Sequence, residues 1–138
     1  MSGLVLDASV ATAWLLDDED EALSSAALER LETEEALVPQ LWHVEVRSAL
    51  LSAERSGRIR PDEVDERLRS LGDLPVRTDT DPRLGAALTL ARTHRLSMYD
   101  AIYLELAQRL DAPLVTLDKA LARACHAIGL VPDWDPRA

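Results

Sequence analysis

The sequence opens with three apolar residues, 4–6, that are followed at once by Asp7 and then by a helical pattern over residues 10–16. An uninterrupted apolar run is typical of a strand buried on both faces, and a strand that leads directly into a helix begins a βαβ unit. In a parallel sheet, ligands bind outside the carboxyl ends of the strands. Asp7 therefore lies where chemistry is expected, although the residue types equally allow it to serve only as a helix cap.

The rest of the chain alternates short strands with helices. Further strands are predicted at residues 36–38, 74–78, 113–117 and 130–131. Helices are predicted at residues 21–32, 41–56, 61–71, 81–95, 98–110 and 119–128. This succession predicts a single three-layer α/β domain over residues 1–138 with a five-stranded parallel sheet, and it leaves the strand order open.

Composition places the chain among globular proteins of the cytoplasm. It has 138 residues, of which 47% are hydrophobic, enough to build one buried core. The N-terminus lacks the basic start of a signal peptide, and no apolar run approaches the ~20 residues of a membrane helix. Cys125 is the only cysteine, which excludes a disulfide framework and favours a buried, inert thiol.

The net charge of −10 at first disfavours a nucleic-acid partner, but the charge is unevenly distributed. Residues 1–39 contain ten acids and one base, concentrated in residues 17–21 and 29–35, where a loop and a solvated helix face are expected. Four arginines form a locally basic stretch that could contact a phosphate-rich partner or could simply be solvated: Arg47, Arg55, Arg58 and Arg60.

Four acids follow strands or begin helices. Asp7 and Asp118 end apolar strands, whereas Glu45 and Asp100 lie early in helices. Each has an ordinary alternative: Asp118 could cap a helix, Asp100 could complete a capping box with Ser97, and Glu45 could be a surface residue. Because all strand ends of a parallel sheet share one edge, the four carboxylates are instead predicted to converge on one crevice.

Convergence would require a cation. Two like charges 4 Å apart repel by about 1–4 kcal/mol in media between water and a protein surface. Clustered carboxylates therefore bind a cation or partly protonate, and hard oxygen ligands suit Mg²⁺ or Mn²⁺. Magnesium takes one or two carboxylates and a substrate phosphate, which indicates phosphoryl chemistry. The chain has no glycine-rich phosphate loop, no Ser–His nucleophile pair and no histidine spacing of a zinc site.

Four segments together resemble the motifs of PIN domains. They are DAS at residues 7–9, WHVEVRSAL at 42–50, LSMYDA and YLELA within 96–107, and PLVTLDKAL at 113–121. The order, the spacing and the size are most similar to the VapC group, the ribonuclease toxins of bacterial type II toxin–antitoxin pairs. The resemblance covers almost the whole chain.

The resemblance implies an endoribonuclease that depends on Mg²⁺ or Mn²⁺, a strand order of 3-2-1-4-5, a homodimer, and an antitoxin whose C-terminal segment fills the groove. Asp7 and Asp100 match direct metal ligands, and the metal-binding quartet is completed by Glu45 and Asp118. Other matches have supporting roles: Ser9 and Thr116 correspond to hydroxyls that hold waters or aspartates, and Ser48 stands where members often have Asn.

Two other readings remain open from the residues themselves. A receiver-like phosphoacceptor domain also gathers acids at strand ends and has a lysine after a late strand, as Lys119 is here, but Thr78-Asp79 is a poor match to its acceptor strand. A catalytically silent PIN-like scaffold would bind RNA or protein without needing four clustered carboxylates.

Overall fold

The computed structural model describes residues 3–17 and 22–136. Its strands are β1 (Gly3–Leu6), β2 (Glu35–Pro39), β3 (Val76–Asp79) and β4 (Leu114–Val115). Its helices are α1 (Ala8–Leu15), α2 (Ala22–Arg30), α3 (Gln40–Arg55), α4 (Pro61–Leu71), α5 (Leu84–His94), α6 (Met98–Leu110) and α7 (Lys119–Ile128). Most of the predicted acidic loop, residues 18–21, lies outside the described ranges, as does the predicted first residue of the second helix.

The strands form one parallel sheet in the order β3-β2-β1-β4. β1 lies inside the sheet, and its residues Leu4, Val5 and Leu6 are completely buried. Successive side chains of a strand point to opposite faces, so burial of all three requires helices on both sides of the sheet. The prediction of a parallel α/β domain with its first strand buried on both faces is confirmed.

The prediction of a fifth strand at residues 130–131 is wrong for the described part of the chain, where the sheet has four strands. The segment does approach the edge of the sheet, because the N–H of Leu114 donates to the carbonyl of Leu130 at 2.9 Å. The next rung of a parallel ladder would need an N–H at residue 132. Pro132 has none, so pairing stops after one hydrogen bond.

Several element boundaries differ by one to three residues from the sequence prediction, and two of these differences have a local cause. β3 begins at Val76 rather than residue 74, after Pro75, which has no N–H to donate. α5 begins at Leu84 rather than residue 81. There the backbone N–H of Arg83 donates to Oε1 of Glu105 at 3.0 Å, so a carboxylate on α6 caps the start of α5.

α3 and α6 carry much of the core. Trp42 and Leu50 of α3 and Tyr103 and Leu104 of α6 are essentially inaccessible to solvent. α6 contacts β1, β2 and β4, so its first turn lies close to the carboxyl ends of the central strands. Cys125 is buried, as predicted. Within the described ranges, no helix has the length and apolar character needed to cross a membrane.

Candidate active site

Asp7 is held rigidly at the end of β1. Its side chain is 6% exposed, and its Oδ2 accepts hydrogen bonds from Ser9 Oγ and Thr116 Oγ1, each at 2.7 Å. The register that pairs Leu6 with Val115 brings the next residues, Asp7 and Thr116, side by side. Asp7 makes no side-chain capping bond to α1. Its carboxylate is therefore oriented by two hydroxyls, one from Ser9 in the first turn of α1 and one from Thr116 after β4.

The two hydroxyls belong to a larger hydrogen-bonded turn after β4. Ser9 Oγ also accepts from the N–H of Leu117 at 3.0 Å, and Thr116 Oγ1 accepts from the N–H of Asp118 at 3.0 Å. Each hydroxyl thus donates to Asp7 and accepts from the backbone. This arrangement ties the end of β1 to the turn before α7.

Glu45 lies in the second turn of α3 and is half-buried. The hydroxyl of Tyr103 donates to its Oε1 at 2.7 Å. Burial raises the pKa of Glu45, the Tyr103 hydrogen bond lowers it, and the charge of Asp7 raises it further. Tyr103 itself is inaccessible to solvent, and burial together with its bond to Glu45 keeps the pKa of its phenol far above the usual range. The phenol is therefore a permanent donor.

Asp100 lies in the first turn of α6, where its backbone N–H donates to Ser97 Oγ at 3.1 Å. Burial first, and then the negative charges of Asp118, Asp7 and Glu45, raise its pKa to about 6. All three other acids therefore act on Asp100, although each comes from a different segment of the chain. The structure therefore places Asp118, Asp7 and Glu45 close enough to Asp100 for their charges to act on it.

Asp118 caps α7 and also faces the carboxylate cluster. Its Oδ2 accepts from the backbone N–H of Leu121 at 2.8 Å, which is an N-cap of α7. Its charge also raises the pKa of Asp7 and of Asp100. The two interpretations of Asp118 from the sequence are thus compatible, because a carboxylate can cap a helix with one oxygen and act on its neighbours through its charge.

A groove of about 460 Å³ opens beside the cluster. Its walls are mostly small side chains from α1 and α3, and Ser9 and Glu45 face it. Small walls allow a bulky ligand to come close to the carboxylates. Ser48 does not line this groove and lies exposed on α3.

The four arginines of the basic stretch have different contacts. Arg60 pairs with the carboxylates of Asp62 and Glu63, Arg58 donates to the carbonyl of Leu16, and Arg47 donates to the carbonyl of His43. Arg55 is exposed in the last turn of α3. Arg60 therefore already has carboxylate partners.

The donor chemistry of the cluster fits a hard divalent cation. Its ligands would be carboxylate oxygens, and the mutual repulsion that raises the pKa of Asp100 is the electrostatic strain that such a cation relieves. Among the described residues, no three His, Cys, Asp or Glu side chains are arranged to hold an ion without rearrangement. An ion held by one or two carboxylates with the rest of its shell as water, as Mg²⁺ prefers, fits these residues.

Sequence reasoning missed the hydrogen bond between Tyr103 and Glu45. The signal was the spacing: Tyr103 is three residues after Asp100 and therefore lies on the same face of α6. Its partner Glu45 is 58 residues away, and no local pattern could reveal that contact.

A second missed feature is an ion cluster around Arg109. Its guanidinium contacts Glu105 at 2.8 Å and both carboxylate oxygens of Asp79 at 3.0 and 3.1 Å. Asp79 ends β3, and the hydrogen bonds from Arg109 lower the pKa of its carboxyl. A carboxylate engaged in this way is poorly placed to accept a phosphoryl group, as the receiver-like interpretation would need.

Comparison with known proteins gives one consistent family. The PIN domain profile matches residues 4–127. Two curated relatives are each named Ribonuclease VapC3. The one from Mycobacterium tuberculosis (strain CDC 1551 / Oshkosh) is 36% identical over 130 residues, which is 91% of this chain and 92% of the relative. The one from Pyrobaculum aerophilum is 31% identical over 129 residues, which is 91% of this chain and 96% of the relative.

The fold also has a counterpart among solved structures. The crystal structure of PAE2754 from Pyrobaculum aerophilum superposes with a TM-score of 0.72 at 22% identity. The match covers 89% of this chain and 84% of that one. At this identity the likeness bears on the fold alone.

Proposed function

The chain belongs to the PIN-domain family, and from that membership and its cluster of carboxylates we propose that it is an endoribonuclease dependent on Mg²⁺ or Mn²⁺. It would hydrolyse RNA phosphodiester bonds with an activated water and act as the toxin of a toxin–antitoxin pair. Two relatives that span almost the same length carry the name ribonuclease. The domain that does this chemistry would be the whole chain, residues 1–138.

The observation that carries the proposal is the electrostatic coupling of the four acids. Burial, together with the charges of three carboxylates from distant segments, raises the pKa of a fourth, Asp100, to about 6. A fold that gains nothing from such a cluster would lose stability by keeping it, because like charges in a half-buried crevice repel. A divalent cation and a phosphate ligand are the partners that make the arrangement favourable.

The residues would divide the work as follows. Asp7 and Asp100 would hold the metal, with Glu45 and Asp118 completing its shell through waters. When bound, Mg²⁺ or Mn²⁺ would supply Lewis-acid chemistry, namely activation of a water and neutralisation of the charge that develops on the phosphoryl group. The hydroxyls of Ser9 and Thr116 keep Asp7 in one orientation. Glu45, held by Tyr103, accepts a hydrogen bond from the attacking water and directs it.

The antitoxin would bind the acidic N-terminal part of the chain. Residues 1–39 carry ten acids against one base. A groove of about 360 Å³ between α1 and α2 is lined by Trp14 and Leu28 together with Glu29 and Glu32. Apolar walls with carboxylates at the rim complement a peptide rich in arginine and apolar residues. We further propose that the toxin is a cytoplasmic homodimer, and that the open reading frame beside its gene encodes this antitoxin.

Cleavage by charge-removing variants tests the activity. Asp7→Asn and Asp100→Asn keep the size of each side chain and remove its charge, so cleavage of total RNA in Mg²⁺ or Mn²⁺ should fall by about 10²-fold or more. Expression of either variant should no longer arrest growth. The matched control is Asp73→Asn, an exposed carboxylate after α4, which should cleave normally.

Two outcomes would reject the nuclease. Wild-type chain that cleaves no RNA with either metal, or Asp7→Asn that cleaves at the wild-type rate in a preparation free of contaminating nuclease, contradicts the proposal. If the inactive variants still arrest growth and bind their partner, the chain is instead a silent PIN-like scaffold.

A further inference from the structure

A second pocket lies on the other side of β4 from β1. It has a volume of about 440 Å³ and occupies the edge where the fifth strand was expected. Its floor is largely apolar and includes Leu114, Ala122 and Val131. The pocket exists because pairing along β4 stops after the single bond to Leu130, as Pro132 cannot donate.

The rim of this pocket carries two cationic side chains, Lys119 and Arg123. Lys119, Arg123 and His126 line it, and their spacing of four and three residues places them on one face of α7. All three are exposed, and Lys119 is the only lysine of the chain. One carboxylate, Asp135, also lines the pocket, but it is 8% exposed and already engaged in an interaction. The accessible charge of the rim is therefore positive, in a chain whose net charge is −10.

The pocket adjoins the carboxylate cluster through Thr116. Thr116 lines the pocket and donates its hydroxyl to Asp7. Asp118, the acid that caps α7, directly precedes Lys119. A chain of nucleotides that crosses the cluster at the end of β4 would therefore pass beside this rim.

We propose that this pocket binds a nucleotide of the RNA that flanks the cleaved phosphodiester. Its phosphate would contact Lys119 and Arg123, and its ribose or base would pack on the apolar floor. The inference rests on the proposed ribonuclease function and extends it by naming where the substrate is held. It assigns RNA contact to α7, beside the carboxylates, instead of to Arg60, whose guanidinium already pairs with Asp62 and Glu63.

The unique lysine allows a direct test. Reductive methylation with ¹³C keeps the positive charge of Lys119 and gives one side-chain NMR signal, which Lys119→Arg assigns by removing it. The probe is a 5′-phosphorylated RNA tetranucleotide in EDTA, where no metal-dependent cleavage takes place. We expect the Lys119 signal to shift on titration and to saturate. A signal that stays unchanged while the RNA binds elsewhere would overturn the proposal.

Variants of the rim give a second, independent measurement. Arg123→Gln should weaken binding of the tetranucleotide by about tenfold, because a charge-assisted hydrogen bond to phosphate is lost. It should also reduce the slope of log K against log salt by about 0.7, the value for one single-strand phosphate. The matched control is Arg92→Gln, an exposed arginine in the last turn of α5, which should change neither quantity. Equal effects of Arg123→Gln and Arg92→Gln would reject the site.

The two proposals can fail separately. Binding is measured without metal, so it does not depend on cleavage. If the chain cleaves RNA but Arg123→Gln binds and cleaves as the wild type does, the pocket is rejected and the nuclease stands. If the Lys119 signal and the salt slope respond as expected but no metal supports cleavage, the pocket is supported and the nuclease is rejected. In an active enzyme, Arg123→Gln should raise KM more than it lowers kcat.

Discussion

At the scale of single residues, the charge of each carboxylate in the site depends on the hydrogen-bond donors around it. Asp7 receives two hydroxyl donors, and Glu45 receives the phenol of Tyr103. These bonds favour the charged forms and oppose the effect of burial, which favours the neutral forms. Asp100 has the least compensation, since burial and three negative charges all act in the same direction. The next two predictions follow from this difference in hydrogen bonding between Asp100 and the other carboxylates.

Tyr103→Phe should impair Glu45 without disturbing the fold. The variant keeps the buried ring but removes the donor that lowers the pKa of Glu45. We expect kcat to fall by about tenfold and the acid limb of the pH–rate profile to move to higher pH. Thermal unfolding should change little. Tyr99→Phe, at a tyrosine that is 62% exposed, is the control, and an unaltered acid limb in Tyr103→Phe would show that the phenol does not act on Glu45.

Asp100→Asn should stabilise the metal-free protein at neutral pH. The folded protein holds the Asp100 proton up to about pH 6, whereas the unfolded chain releases it near 3.8, so this group lowers the free energy of unfolding as pH rises between these values. The half-exposed side chain reduces the full effect to about 1–2 kcal/mol. Urea unfolding in EDTA should show wild type and variant converging at pH 4 and separating by pH 7. If the free energies of unfolding of wild type and variant differ by the same amount from pH 4 to pH 7, the raised pKa of Asp100 is contradicted.

At the scale of helices and strands, α6 carries residues of the candidate active site and also residues that hold neighbouring elements in place. Its first turn carries Asp100, its second turn carries Tyr103, and its end carries the Glu105–Arg109 pair that binds Asp79 and caps α5. The same helix therefore fixes the position of two site residues and binds both the end of β3 and the start of α5. α7 has a similar double role, because Asp118 starts the helix while facing the cluster.

Arg109→Met should lower the free energy of unfolding more than most substitutions near the surface of the protein. It would leave Glu105, which is 4% exposed, without its cation, and a buried charge left unpaired costs about 3–5 kcal/mol. Adding Glu105→Gln removes that charge and keeps an acceptor for the N–H of Arg83, so the double variant should regain part of the loss. Chemical denaturation measures both. A double variant that is less stable than Arg109→Met alone would contradict this account.

At the scale of the whole molecule, charge is separated by region. The acidic excess lies in residues 1–39, and the basic rim of α7 lies beside the carboxylate cluster. A cation between the carboxylates would relieve the repulsion among elements that are far apart in sequence. Stability and ligand binding should therefore be coupled.

Mn²⁺ should raise the melting temperature of the wild-type chain relative to EDTA. An ion present at 100 times its Kd adds about 2.7 kcal/mol to the free energy of unfolding. Asp7→Asn and Asp100→Asn should lose most of this increment, while Asp73→Asn should keep it. Scanning calorimetry at fixed ionic strength measures the difference, and an equal shift in all four proteins would mean that the ion binds elsewhere.

The sequence alone was enough to predict the succession of strands and helices, the parallel sheet, and the positions of four acids at strand ends and helix starts. These features are local, because the spacing of apolar residues and the breaks that proline and glycine introduce depend only on residues a few positions apart. The first strand was recognisable because residues 4–6 contain no polar alternation, and burial of Leu4, Val5 and Leu6 confirms that reading.

Only the tertiary structure decided which groups meet. Tyr103 reaches Glu45 across 58 residues, Arg109 reaches Asp79 across 30, and β4 loses its outer neighbour because one N–H is missing at Pro132. Such contacts depend on strand register and helix packing, which one-dimensional patterns do not encode. The coupling that raises the pKa of Asp100 exists only because folding brings charges from separate segments into one poorly solvated crevice.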